Sequence, residues 1–158
     1  MQYKINFDGG KIVVDGKDHQ TIGIVIKDEN QNIVYVEGDN LGPGTTNQAE
    51  GHALLLSLIR AVQLGYTDLF VEGDSQLIIN QSTGKWQCRH ENLIPIISKV
   101  KKIASVPGIN IIFNWVRRDF NKEADEQTHI GRTKPINEKL RNQLYQGNRK
   151  QSATSIVK

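Results

Sequence analysis

Two periodicities alternate along this chain, and their order restricts its fold more than any other feature. Gln2 to Asp8 places Tyr3, Ile5 and Phe7 on one face, the period-2 pattern of a half-buried strand, which Gly9-Gly10 is expected to end or bend. Lys11 to Gln20, with Asp15-Gly16 at its middle, reads as the connection to a second strand. Thr21 to Lys27 and Asn32 to Glu37 are rich in Ile and Val and flank the polar turn Asp28-Glu29-Asn30-Gln31, which predicts an antiparallel hairpin. The pattern then changes. After Gly42-Pro43-Gly44, Thr46 or Asn47 is the expected N-cap of a helix reaching about Leu64 and closed by Gly65, with Ala53, Leu54, Leu56, Leu58, Ile59 and Val62 as its apolar face.

A short buried strand follows at Asp68 to Glu72, then a short helix from Ser75 to Ser82 ending near Gly84. Asn92 to Ala104 reads as another helix, with Pro95 tolerated in its first turn, and Pro107-Gly108 breaks it. Ile109 to Val116 is a fifth strand and Asn121 to about Ile130 a further helix. A strand, a helix and a strand in succession imply a right-handed parallel crossover. The expected class is therefore α/β: a five-stranded mixed sheet, antiparallel at one side and parallel at the other, with helices on both faces.

At 158 residues the chain suits one domain with a single core. Residues 1–131 are expected to form it. Residues 132–158 read as a basic C-terminal extension with a helix over 135–146 and a frayed tail. No apolar stretch is long enough to cross a bilayer, no export signal is visible, and the lone Cys88 offers neither disulfide nor zinc site, so a cytoplasmic monomer is expected. The net charge of +3 hides an asymmetry: residues 1–84 hold 5 basic and 11 acidic side chains, residues 85–158 hold 15 and 6. An acidic half able to hold cations joined to a basic half able to hold phosphates suits a metal-dependent enzyme acting on nucleic acid. A solvated surface with an incidental basic tail is the plainer reading of the same charges.

Four carboxylates stand at element edges: Asp8 at the carboxyl end of the first strand, Asp74 directly after the fourth, Glu50 in the first turn of the long helix, and Asp125 one turn into the helix after the fifth strand. Singly, each has a bland explanation as turn former, helix cap or dipole partner. Brought together they would repel one another unless cations neutralised them. An all-oxygen donor set favours Mg2+ or Mn2+ over zinc. Two such ions about 4 Å apart activate water and stabilise the leaving oxygen in phosphodiester cleavage.

These contexts together resemble type 1 ribonuclease H. The resemblance lies in Phe7-Asp8-Gly9-Gly10, in Thr46-Asn47-Gln48-Ala49-Glu50 with Ala53 following, in Asp74-Ser75 after a strand, and in Val116-Arg117-Arg118 leading to Asn121-x-x-Ala124-Asp125. It spans about residues 3–130. It implies hydrolysis of the RNA strand of an RNA–DNA hybrid by two Mg2+ ions, with Mn2+ as an alternative, leaving 5′-phosphate and 3′-hydroxyl ends. In that picture Asp8 bridges both ions, Asp125 completes the first, and Glu50 with Asp74 holds the second. Gly9, Gly10, Asn47 and Gln48 correspond to contacts with the hybrid's minor groove, where 2′-hydroxyls mark the RNA strand. Lys85 and Trp86 are candidates for gripping the DNA strand.

The chain departs from the family in three places. Lys11 to Gln20 lacks the family's Asn-Pro-Gly stretch, and Asn114 to Ala124 lacks the histidine many members carry before the last carboxylate. Arg118 fits the variants with arginine there and takes the helper role. The stretch between Trp86 and Ala104 is too short for an extra basic helix, leaving Lys99, Lys101, Lys102 or the tail to hold substrate. Two rivals remain from the sequence: a hybrid-binding module without catalysis, and a DNA-cutting relative of the same fold. Trp115 is expected in the core, and His52, about 200° around the helix from Glu50, as a packing or surface residue.

Overall fold

The structure, a computed structural model, describes residues 1–146. Its centre is a five-stranded mixed sheet in the order β3-β2-β1-β4-β5. The strands are β1 (Tyr3–Val14), β2 (Lys17–Lys27), β3 (Ile33–Pro43), β4 (Asp68–Gly73) and β5 (Asn110–Trp115). The first three pair antiparallel, and β4 and β5 run parallel to β1, as the element order predicts. Among the described residues no helix is long and apolar enough to cross a membrane.

β1 does not end at Gly9-Gly10. It continues to Val14, and the reversal comes at Asp15-Gly16, whose φ angles of 51° and 76° make the two-residue turn that pairs Val14 with Lys17. The two glycines serve close packing, described below, rather than a turn. The polar turn after β2 is held by Asp28 Oδ1, which accepts from Asn30 N at 2.9 Å and Asn32 N at 3.0 Å.

Helix α1 (Thr46–Gln63) is capped one residue earlier than expected. Thr45 Oγ1 accepts from Gln48 N at 3.0 Å, and Gln48 Oε1 accepts from Thr45 N at 2.9 Å, a reciprocal capping box. Ser75 caps α2 (Gln76–Thr83), which ends on the left-handed Gly84. Pro95 sits in the first turn of α3 (Ile94–Ala104), where a missing N–H costs nothing. Helices α4 (Lys122–Gly131) and α5 (Glu138–Gln146) complete the fold.

The core lies between α1 and the sheet: Ile5, Phe7, Ile22 and Ile24 meet Leu54 and Leu58, with Ile97 and Val100 of α3 joining them. The segment after Gly131 also contributes, since Leu140 and Leu144 of α5 belong to this core. A polar clamp beside them seats α5. His52 Nδ1 meets Gln20 Oε1 at 2.7 Å, while Gln20 Nε2 donates to Tyr145 Oη at 2.7 Å and to the Pro43 carbonyl at 3.1 Å. Arg141 lies over the Tyr145 ring and donates to the Leu41 and Pro43 carbonyls. The expected tail, 147–158, lies outside the described residues.

Candidate active site

Because β1 and β4 are parallel neighbours, with Asn6 opposite Glu72, Asp8 within β1 comes level with Asp74, which directly follows the end of β4. Asp8 and Asp74 emerge at that edge. Glu50 reaches it from one turn into α1, and Gly9 is what lets α1 come so close: a Cβ at Gly9 would lie 2.2 Å from Glu50 N and 2.5 Å from the Ala49 carbonyl carbon. Asp125 arrives from the opposite face. There α4 crosses the strand partner of Asp8, Gly23, where a Cβ would fall 2.1 Å from the Ala124 carbonyl oxygen. Backbone therefore rests on backbone at both crossings, which a larger residue would prevent.

The cleft at this edge has a volume of about 570 Å3 and is lined by Asp8, Gly9, Gly10, Glu50, Asp74 and Arg118, with Lys11, Thr46, Ser75 and Arg132. Asp8 is only 5% exposed. Burial first, then the neighbouring Asp74 and a hydrogen bond with Asp125, push the Asp8 carboxyl up to about 9. Burial likewise raises Glu50 to about 7, although the Ser75 hydroxyl and Arg118 favour its charged form. Burial raises Asp74 too, against the pull of Arg118 and Asn121. Asp74 Oδ2 is buried with no hydrogen-bond partner among the described residues.

Raised acids and an orphaned carboxylate oxygen fit a divalent cation, which would displace protons and supply the missing partner charge. The donors are all oxygens, as Mg2+ and Mn2+ prefer. Among the described residues no three His, Cys, Asp or Glu side chains already form a closed metal-holding group. Asp8, Glu50 and Asp74 share the cleft, and like charges in that setting do not converge without a counter-charge.

The remaining sequence-predicted residues divide. Arg118, in the 3-10 turn Arg118–Phe120, lines the cleft with Gly9 and Gly10. Asn47 is exposed at the start of α1, and the Gln48 amide is engaged in the capping box. Trp86 stands apart, lining a second groove of about 480 Å3 with Cys88, Ile94, Ile97 and Lys101, and Lys85 is exposed next to it in the chain. Trp115 is not a core residue: β5 is an edge strand, the residue is 40% exposed, and its Nε1 donates to the Asp74 carbonyl at 3.0 Å. Glu72 is buried, accepting from Asn114 and pairing with Lys4 at 3.0 Å.

Lys11 and Arg132 were not singled out from the sequence as wall residues of this cleft. Lys11 was hidden by ending the strand at Gly10. Arg132 is seven residues past Asp125, on the same side of α4, and that spacing would have found it.

The model of the reverse transcriptase-like family matches residues 6–129. The bifunctional protein Rv2228c of Mycobacterium tuberculosis is 32% identical over 126 residues, covering 79% of this chain and 34% of that protein. The chain spans about a third of the length of the curated relatives it matches. In three dimensions it is similar to ribonuclease H1 of the halophilic archaeon Halobacterium salinarum, with a TM-score of 0.76, 28% identity, and coverage of 84% of this chain and 98% of that one. It is also similar to LC11-RNase H1, isolated from compost and solved with an RNA/DNA hybrid, with a TM-score of 0.70, 28% identity, and coverage of 79% and 92%.

Proposed function

The chain belongs to the reverse transcriptase-like family, and from that membership together with the acidic cleft we propose that it is an endonuclease hydrolysing the RNA strand of RNA–DNA hybrids. The observation that carries the reading is the meeting of Asp8, Glu50 and Asp74 in one cleft whose wall also holds Arg118, Arg132 and Lys11. Acids deep in the cleft and cations along its wall match a phosphodiester whose reacting phosphate must come close to bound metal.

Asp8, Glu50, Asp74 and Asp125 would hold two divalent cations, Mg2+ with Mn2+ able to substitute, and these when bound supply activation of water and stabilisation of the leaving oxygen. The chain's own residues do the rest. Arg118 and Arg132 offer guanidinium groups to the phosphates of the cut strand. The backbone at Gly9 and Gly10 and the exposed Asn47 face the minor groove, where 2′-hydroxyls separate RNA from DNA. Gln48, whose Oε1 and backbone N–H hold the cap, would contribute through its Nε2. The Trp86 groove with Lys85 would take the DNA strand, stacking and phosphate contact being tolerant of sequence. Cleavage on this scheme leaves 5′-phosphate and 3′-hydroxyl ends.

The direct test is cleavage of a labelled RNA–DNA hybrid beside duplex DNA and duplex RNA, with Mg2+ and again with EDTA. Hybrid-only, EDTA-sensitive cutting of the RNA strand is expected. An intact hybrid in Mg2+ would reduce the protein to a binding module, and equal cutting of duplex DNA would move it to a DNA-cutting relative of the fold.

A further inference from the structure

Asn121 stands at the N-cap position of α4 yet makes no side-chain capping bond. Asparagine is among the strongest N-cap residues, a role worth about 1 kcal/mol. Here the side chain is turned away from its own helix and into the sheet, where it is 1% exposed. Its Nδ2 donates to the Phe7 carbonyl at 2.9 Å, one residue before Asp8. Its Oδ1 accepts from Asn6 Nδ2 at 3.0 Å. Asn121 also favours the charged form of Asp74, and its backbone carbonyl accepts from Asp125 N at 3.1 Å. Its backbone N–H donates to the Arg118 carbonyl at 3.0 Å, so the loop carrying Arg118 ends on it as well.

We propose that Asn121 is a positioning residue whose buried carboxamide ties β1, which bears Asp8, to the start of α4, which bears Asp125, and so sets the spacing of those two carboxylates for metal. The inference rests on the metal-dependent hydrolysis proposed above. Its physical basis is that acids in one cleft repel, so their spacing needs fixed neutral donors from outside the acid group. Asn121 meets that need from a single point. Asn6 keeps the amide in its orientation, because its donor fixes which end of Asn121 is oxygen. Asn6 in turn lies within 3.5 Å of Glu72 Oε1, and Glu72 is held by Lys4 and Asn114. The chain of contacts therefore runs from the sheet surface to the cleft.

The test compares Asn121→Ala with Asn121→Ser, because serine can supply a helix cap while lacking the amide. Mn2+ binding to the free enzyme is measured by calorimetry, beside thermal unfolding and hybrid cleavage. Both variants should bind Mn2+ about 10- to 100-fold more weakly, as loss of a group supporting metal ligands typically does. In both, kcat should fall with KM for hybrid within about twofold of wild type. Asn121→Ser should unfold at a higher temperature than Asn121→Ala while sharing its metal defect. Mn2+ affinity within about twofold of wild type in a folded variant would overturn the proposal, as would affinity that simply follows stability from Ala to Ser. If Asn121→Ala does not fold, the serine variant decides alone. A wild-type protein that binds no Mn2+ and leaves the hybrid intact would instead overturn the proposed function; a competent wild type with unaffected variants would remove only Asn121.

Discussion

Helix α1 carries two polar side chains two residues apart, a half-buried Glu50 and a buried His52, and their surroundings are opposite in design. His52 is 1% exposed and hydrogen-bonded: burial, with Lys99 and Arg141 nearby, lowers it to about 3, so the ring is neutral and its Nδ1 donates to Gln20. Gln20 then passes its own donors to Tyr145 and Pro43. Glu50 faces a cleft whose acids are raised and where Asp74 Oδ2 has no partner among the described residues. Satisfied polar groups hold a fold, whereas unsatisfied ones of a single charge type wait for something to bind. The same helix thus separates structure from chemistry by facing two ways.

The sharpest attack on this contrast is Asp8→Asn. It should lower hybrid cleavage by roughly 1000-fold, several kcal/mol of transition-state stabilisation, while raising thermal stability near neutral pH. Asp8 has a folded value of about 9 against an ordinary 3.8, so its effect on stability is most favourable below about 3.8 and is lost as pH rises through 9. Asparagine has no such loss, and an unfolding temperature that drops with activity would place Asp8 on the structural side. Arg118→Ala comes next: a fall in kcat of about 10- to 100-fold with little change in KM fits a group acting at the reacting phosphate. A rise in KM alone would make it substrate grip.

Arg132→Gln should act more mildly, raising KM several-fold and reducing the slope of log K against log salt by about 1. An unchanged slope would remove Arg132 from the phosphate contacts. The smallest effect belongs to the clamp. With His52 at about 3 folded and 6.5 as the reference, its contribution is present above pH 6.5 and is lost as pH falls toward 3. Acid titration of stability should therefore be shallower in His52→Gln than in wild type between about pH 6.5 and 4, and equal slopes would show that the ring is not held neutral by burial.

How much of this was legible varies with how local each feature is. The strand alternation of Tyr3, Ile5 and Phe7 and the apolar face of α1 were plain, because each is written in neighbouring residues. The four acids were legible as a set through their contexts. Gly9-Gly10 misled, since a glycine pair reads locally as a break while its real purpose is contact with α1 and α4, elements about 40 and 118 residues further on. Trp115 misled for a related reason: an alternating segment does not say whether its strand lies at an edge. The N-cap moved by one residue because Thr45 and Thr46 are equally good caps until Gln48 chooses between them.

Sequence alone determined the order of the elements, the mixed character of the sheet and the identity of the acids, since periodicity, caps and breakers are properties of short stretches. Tertiary structure decided the rest. It placed Asp125 beside Asp8 by way of Gly23, turned the Asn121 side chain away from its own helix onto the Phe7 carbonyl, and set Trp86 in a groove of its own. Those outcomes depend on which backbones approach closely enough to touch and on what charge remains unpartnered there. Both are relations between distant segments, which no local pattern encodes.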